Sequence, residues 1–169
     1  MSEEIRVHKK KKFHRLVLSY ADLMHAKSAL DYLRRFNPEE NGAPGLAVAL
    51  VTSFIVCYSR PFIQRRGRDI LGKKHTGFGG DIRFQAKHNE ILDKRNSYFA
   101  HSDRDLIPVY IDPEGFSAEY VMFDQRAITI FQYMTEQIIS AIQTDMMALS
   151  DELFTKEERA KGRFQLRFD

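Results

Sequence analysis

Apolar residues recur at helical spacing from Phe13 onward, and this recurrence predicts a first long helix. Steps of three or four positions place side chains on one face of a helix. The apolar stripe consists of Leu16, Tyr20, Leu23, Ala26, Leu30 and Leu33. Asn37-Pro38 ends the pattern, because a proline disfavours helical backbone in the residue before it.

A second element follows Pro44, a residue type that fits the first turn of a helix. Residues 46–58 are apolar except for Thr52 and Ser53. The valine, isoleucine and phenylalanine content permits a β-strand, but the run is long for a strand. We therefore expect a buried central helix that is apolar all round. The run is too short to span a bilayer as a helix.

Two aspartates mark the starts of the remaining long helices. Asp81 begins a helix that extends towards Asp103, because a short acidic side chain can cap the first turn. The apolar stripe of this helix is broken and starts from Ile82. Asp124 caps the last long helix in the same way. The stripe of that helix consists of Ala127, Phe131, Met134, Ile138 and Ala141.

The predicted fold class is all-α, an antiparallel bundle of four to five helices, because helices joined by short loops pack in this way. A short β-hairpin insertion is expected at about 107–122. Its turn is Asp112-Pro113-Glu114-Gly115, which has the type I signature. We expect a frayed basic arm at 1–12, a single helical domain at 13–150 and a charged C-terminal tail at 151–169, which packs on a neighbour or stays loose.

Composition and charge narrow the class of protein. The 169 residues include one cysteine, Cys57, and no secretory signal precedes it, so we expect a cytoplasmic protein without disulfides. Residues 1–80 carry a formal charge of +8 and residues 81–169 carry −5. The basic half, with its run Lys9–Lys12, suits a nucleic acid. Terminal charge runs also serve as solvated tails, so an arm that only solubilises the chain stays open.

The end of the Asp81 helix carries the candidate chemistry, in the string DKRNSYFAHSD. A histidine near neutral pKa can act as a general acid or base, and a guanidinium can bind two phosphate oxygens at once. Arg95, Asn96 and His101 are therefore the candidate catalytic residues. Six residues of an ideal helix rotate by about 600°, so the helix must end or kink before His101. Two structural roles stay open: His101 as a helix cap, and Arg95 paired with Glu90, Asp93 or Asp103.

The spacing from Arg95 to His101, with five residues between, resembles the Arg-x(4–6)-His motif of the HEPN superfamily. The segment Tyr58-Ser59-Arg60-Pro61-Phe62 is similar to the abortive-infection branch of that family as well. The bare motif is not specific, because 15 arginines and 6 histidines predict roughly one or two chance matches. Three are present, and the other two run from Arg68 to His75 and from Arg83 to His88. Only the Arg95 match has an amide after the arginine and lies at a helix end.

The resemblance implies a HEPN-like domain that cleaves RNA without metal, in a bacterial defence or toxin–antitoxin system. It also implies a homodimer in which the motifs of the two protomers lie side by side. An antitoxin partner protein is compatible with this resemblance. The expected RNA-binding residues are Tyr98, Lys94, His88 and Arg60. No metal motif is present, and we expect no metal, no organic cofactor and no membrane contact. The alternatives are a non-catalytic HEPN-like module that binds a nucleotide, RNA or partner protein, and a helical adaptor without a nucleic-acid role.

Overall fold

A computed structural model describes residues 2–35, 44–63, 71–76, 78–100, 109–112, 115–118 and 123–160. For residues 44, 73, 98–100, 109–112, 115–118 and 159–160 it describes the backbone alone. Helices dominate this part of the chain, so the all-α class is confirmed.

The helices are α1 (Glu3–Arg35), α2 (Pro44–Ser59), α3 (Lys73–Thr76), α4 (Ile82–Lys94), α5 (Gln125–Leu153) and α6 (Lys156–Ala160). Tight 3₁₀ turns follow α2 at Arg60–Phe62 and α3 at Phe78–Gly80, and a π-helix at Arg95–Ala100 continues α4. The described residues thus hold six α-helices, against four to five predicted. The additional helices are single turns, α3 and α6, which are too short to show an apolar period in the sequence.

The first helix begins at Glu3, whereas the sequence predicts a frayed arm over 1–12. Glu3 and Glu4 lie in its first turn, where acidic side chains interact favourably with the helix dipole. Lysine is also a good helix former. Lys9 forms an ion pair with Glu152 of α5, so the basic segment lies against the domain at this point.

The centre of the fold is α1, which packs against both α2 and α5. Three side-chain pairs show that α1 and α5 run antiparallel: Tyr20 with Gln143, Lys27 with Glu136, and Asp31 with Gln132, each at 2.8 to 3.2 Å. The position rises along α1 as it falls along α5. The buried stripe of α1 is Leu16, Ser19, Leu23, Ala26, Ala29, Leu30 and Leu33, close to the predicted set.

The second element is a helix, so the strand alternative is wrong. One side of α2 enters the core, where the ring of Phe54 stacks on Phe131 at 5.3 Å between centroids. The opposite side is not buried as expected, since Leu46, Ala49 and Ser53 are exposed. By length and composition the window Gly45–Phe62 could cross a membrane, with mean hydropathy 1.5 and 39% of the window buried. A core helix passes the same test, and α2 packs on α1.

Both predicted aspartate caps are confirmed. A side-chain oxygen of Asp81 accepts the Arg83 N–H at 2.9 Å, and one of Asp124 accepts the Ala127 N–H at 2.6 Å. The stripe predicted from Ile82 is wrong at its start, because Ile82 is 81% exposed and Ala86 is exposed as well. Its last part is confirmed, because Ile91 is fully buried.

Two short strands lie within 107–122, where the sequence predicts a hairpin. They are β1 (Val109–Asp112) and β2 (Gly115–Ala118), and they pair antiparallel with Val109 opposite Ala118 and Asp112 opposite Gly115. The turn residues 113 and 114 lie outside the described residues, so the type I turn and the complete hairpin stay predictions.

Candidate functional site

The helix that carries the motif changes geometry at Arg95. Residues Ile82–Lys94 are α-helical, and Arg95–Ala100 form a wider π-helix. A π segment inside an α-helix occurs mostly as a single turn and frequently at functional sites. The departure from α geometry that the Arg95–His101 spacing requires therefore begins at the arginine itself. His101 lies outside the described residues.

Arg95 is half-buried, and its guanidinium hydrogen-bonds the next residue at an exposed position. Its Nη1 donates to Oδ1 of Asn96 at 3.1 Å, and Asn96 is exposed. Glu90, one of the expected ion-pair partners, instead accepts from Lys87 at 2.6 Å and lies 3.9 Å from Lys94. Within the part of the chain that the structure describes, no carboxylate pairs with Arg95. The guanidinium keeps donor groups beyond the one used by Asn96, because arginine has five.

Lys94 lies between an acid and an aromatic ring. Its Nζ is 3.9 Å from Oε1 of Glu90 and 5.9 Å from the ring centre of Phe123. A cation at this distance from a ring is attracted by the electron density of the ring face. The side chain is 28% exposed, so it can contact an anion only at the edge of this arrangement.

His88 is buried, with 5% of the residue exposed, and its Nδ1 hydrogen-bonds the hydroxyl of Tyr58 at 2.9 Å. The rings of Phe62 and Phe78 lie edge-on to the imidazole, at 4.7 and 6.1 Å. Burial lowers the pKa of His88 to about 4 and raises the pKa of Tyr58. His88 is therefore neutral at pH 7 and has little surface to offer the RNA contact predicted for it.

The two segments that carry the family resemblance belong to neighbouring elements. Tyr58 ends the buried face of α2 and bonds His88 of α4, while α2 also packs on the π-helix that begins with Arg95. The 3₁₀ turn between α2 and the following chain is held by α1, where a guanidinium nitrogen of Arg15 donates to the carbonyl of Pro61 at 2.9 Å. A long-range hydrogen bond thus connects the Tyr58–Phe62 segment to α4 at His88, outside the Arg95–His101 motif.

Arg60 lies on the α1 side of this turn. Its Nη1 is 3.2 Å from Oδ1 of Asp22, and its side chain is 49% exposed. The predicted RNA-binding residues are therefore dispersed: Arg60 faces Asp22, Lys94 lies by Phe123, and His88 is in the core. The side chain of Tyr98 lies outside the described residues, so its predicted role stays a prediction.

A second polar cluster was not predicted from the sequence. His75 of α3 is buried and its Nε2 donates to Oδ2 of Asp145 on α5 at 3.0 Å, while Lys74 forms an ion pair with the same carboxylate. Burial lowers the pKa of His75, and Asp145 opposes that shift. The only sequence signal was the motif match from Arg68 to His75, which a glycine-rich setting argued against. Seventy positions separate the two partners, so no local spacing reveals them.

The two competing motif matches have histidines with structural partners. His75 bonds Asp145 and His88 bonds Tyr58, and both imidazoles are buried. Arg83, the arginine of the second match, pairs with Asp81 at 2.8 Å. These contacts explain both histidines by packing and hydrogen bonding, whereas the histidine of the Arg95 match lies outside the described residues.

No group of three histidine, cysteine, aspartate or glutamate side chains in the described ranges is arranged to hold a metal ion. Comparisons of the chain with protein-family models, curated proteins and solved structures found no match.

Proposed function

We propose that this chain is a HEPN-like, metal-independent endoribonuclease of a bacterial defence or toxin–antitoxin system. It would act in the cytoplasm as a homodimer, and each protomer would be a helical bundle. The observation that carries the proposal is the change from α- to π-helix at Arg95. A straight α-helix would turn Arg95 and His101 to different sides, and the helix departs from α geometry within the segment that carries the motif.

The packing of the helix that carries Arg95 gives further support. α2 contacts both α4 and the π-helix, and Tyr58 bonds His88 of α4. These contacts would hold the end of α4 in place for the proposed chemistry.

The proposed reaction is attack of the RNA 2′-OH on the adjacent phosphorus. The 2′-oxygen forms a bond to phosphorus and loses its proton, the bond to the 5′-oxygen breaks, and that oxygen gains a proton. The products are a 2′,3′-cyclic phosphate and a 5′-hydroxyl. Arg95 would stabilise the charge on the phosphate oxygens, Asn96 would position a phosphate oxygen, and His101 would move a proton.

A homodimer is part of the proposal, because one arginine and one histidine are few groups for acid–base cleavage. The exposed side of α2 supports it, with Leu46, Ala49 and Ser53 open to solvent beside the buried side of the same helix. A second protomer on this side would cover the exposed Leu46 and Ala49.

The experiment is RNA cleavage by purified protein in EDTA, with product ends tested for 2′,3′-cyclic phosphate. His101→Ala and Arg95→Ala should abolish cleavage, and Arg95→Lys should restore little, because lysine cannot bind two phosphate oxygens as a planar fork. Arg83→Ala and His25→Ala are the matched controls. Both residues are exposed, and Arg83 belongs to a competing motif match, so these variants should cleave like the wild type.

Cleavage that survives in His101→Ala, or that stops in EDTA, would contradict the metal-independent mechanism. RNA binding that weakens with salt but leaves every RNA intact would support the alternative, a non-catalytic HEPN-like binding or dimerisation module. Sedimentation of the same samples gives the oligomeric state, and a monomer at all concentrations would contradict the doubled site.

A further inference from the structure

A cavity of about 330 Å³ lies between α3, the start of α4 and the middle of α5. Its walls include Lys74, His75, Phe78, Gly79, Phe84, Tyr133, Gln137 and Ala141. Concave sites of a few hundred Å³ are of the size that binds small organic ligands. None of these residues belongs to the Arg95–His101 motif.

One wall of the cavity is aromatic and open. The rings of Phe84 and Tyr133 lie 5.3 Å apart at an interplanar angle of 32°, and Phe78 continues the wall at 5.9 Å from Phe84. Tyr133 is 49% exposed, so one side of its ring is accessible to a flat ligand. A planar heteroaromatic ring stacks on such a surface whatever its identity.

The polar groups of the cavity suit the remainder of a nucleotide. The side chain of Lys74 is 56% exposed at the rim, and Gln137 offers an amide that can both donate and accept. Asp145 pairs with Lys74 and also accepts a hydrogen bond from His75. A phosphate at the rim would share the Lys74 ammonium with Asp145, which keeps its hydrogen bond from His75.

The backbone that borders the cavity is unusual. Phe78, Gly79 and Gly80 have positive φ angles of 41°, 62° and 85°. A positive φ is disfavoured for phenylalanine, and such strain clusters at ligand sites. A Cβ built on Gly79 meets no atom within 4 Å, so the glycine leaves open space beside the aromatic wall.

We propose that this cavity binds one nucleotide unit, with the base stacked on Tyr133, the base edge at Gln137 and the phosphate at Lys74. The chemistry is the same for a free nucleotide and for one residue of a single-stranded RNA. Its lining residues are distinct from the Arg95–His101 motif, so it would hold a regulatory nucleotide or anchor an RNA strand outside the cleaved position.

Calorimetric titration of the full chain tests this with AMP, adenosine, ribose 5-phosphate and an oligoadenylate. AMP should bind more tightly than adenosine or ribose 5-phosphate, because it uses both the ring and the cation. Tyr133→Ala should weaken AMP binding by about tenfold or more, and Tyr133→Phe should retain it. Lys74→Ala should reduce AMP affinity to that of adenosine while adenosine binding stays unchanged.

Matched controls are Tyr32→Ala, which removes a tyrosine that is 66% exposed on α1, and Lys156→Ala on α6. Both should bind AMP like the wild type. His101→Ala should also bind AMP normally, which separates this site from the proposed ribonuclease centre. Oligoadenylate that binds more tightly than AMP, and that is weakened by Tyr133→Ala, would identify an RNA strand as the ligand; AMP alone would identify a free nucleotide.

The proposal is overturned if neither AMP nor oligoadenylate binds at millimolar concentration. It is also overturned if binding is the same in the wild type, Tyr133→Ala and Lys74→Ala. Tyr133 and Lys74 are exposed, so their replacement should leave the far-ultraviolet circular dichroism spectrum unchanged.

Discussion

Acid should unfold this protein partly through His88. The imidazole is buried against aromatic rings, and its pKa is lowered from 6.5 to about 4 in the folded state. In the unfolded chain His88 becomes protonated as the pH falls through about 6.5, whereas in the folded chain it becomes protonated only at about pH 4. The contribution of neutral His88 to stability is therefore complete above pH 6.5 and is lost progressively as the pH falls to about 4.

The size of this effect follows from the pKa difference. Each pKa unit corresponds to 1.36 kcal/mol, so the full shift is worth about 3 kcal/mol of unfolding free energy. A residue that is 5% exposed is little screened by solvent, which supports using most of this value. Other groups contribute to acid unfolding, including Asp145 and His75, whose pKa values are also lowered. The part due to His88 is therefore the difference in pH dependence between the wild type and a variant without this imidazole.

The informative variant replaces both partners, Tyr58→Phe with His88→Phe. Replacing both members of a buried polar pair by apolar residues of similar shape can leave the unfolding free energy nearly unchanged. Tyr58→Phe alone leaves Nδ1 of His88 without its partner and should lower the unfolding free energy by about 1–3 kcal/mol. Urea unfolding, followed by circular dichroism at pH 7, 5.5 and 4, gives the free energies by linear extrapolation. The wild type should lose about 3 kcal/mol more than the double variant across this range.

Parallel pH profiles for the wild type and the double variant would refute the reasoning, because they would show that His88 titrates equally in both states. A double variant that is far less stable than Tyr58→Phe at pH 7 would show that the shape of the pair matters more than its hydrogen bond.

Two further predictions concern packing and capping. Ile138→Ala should lower the unfolding free energy by about 2–5 kcal/mol in urea unfolding, because that side chain is fully buried. Ile82 is 81% exposed, so Ile82→Ala should change the same free energy by less than about 0.5 kcal/mol, and equal losses in the two variants would contradict the assigned core. Asp124→Ala should lower the unfolding free energy by about 1 kcal/mol, because the Ala127 N–H at the start of α5 loses its acceptor at 2.6 Å. Asp124→Asn should recover most of this loss, because asparagine also caps helices. Thermal unfolding curves that coincide for the alanine and asparagine variants would contradict the cap.

Local patterns predicted the parts of the fold that local physics decides. The stripe of α1, the start of α2 at Pro44 and the caps Asp81 and Asp124 each depend on residues within one or two turns. The class of the fold follows from them, since four long helices with apolar faces must bury those faces against one another.

The side-chain partners could not be predicted in this way. His75 meets Asp145 and Tyr58 meets His88 only after the helices pack, across seventy and thirty positions. The basic segment was misjudged for the same reason, because the ion pair of Lys9 with Glu152 joins positions 143 apart. The sequence shows the positive charge of this segment, but the acidic residue that pairs with it belongs to another helix.

The position of Arg95 on α4 relates the motif to the rest of the fold. Phe84 at the cavity, His88 in the buried pair and Ile91 in the core are spaced by four and three positions, so they lie along one side of the helix. Arg95 is four positions further on, and in a continuing α-helix it would extend the same buried stripe. A permanent cation cannot follow that stripe into an apolar core without a partner. Arg95 keeps α-helical backbone angles and is half-buried, with its guanidinium beside Asn96, and the π-helix begins at this residue. The regular part of α4 therefore ends at the position where its buried stripe would next place a cation.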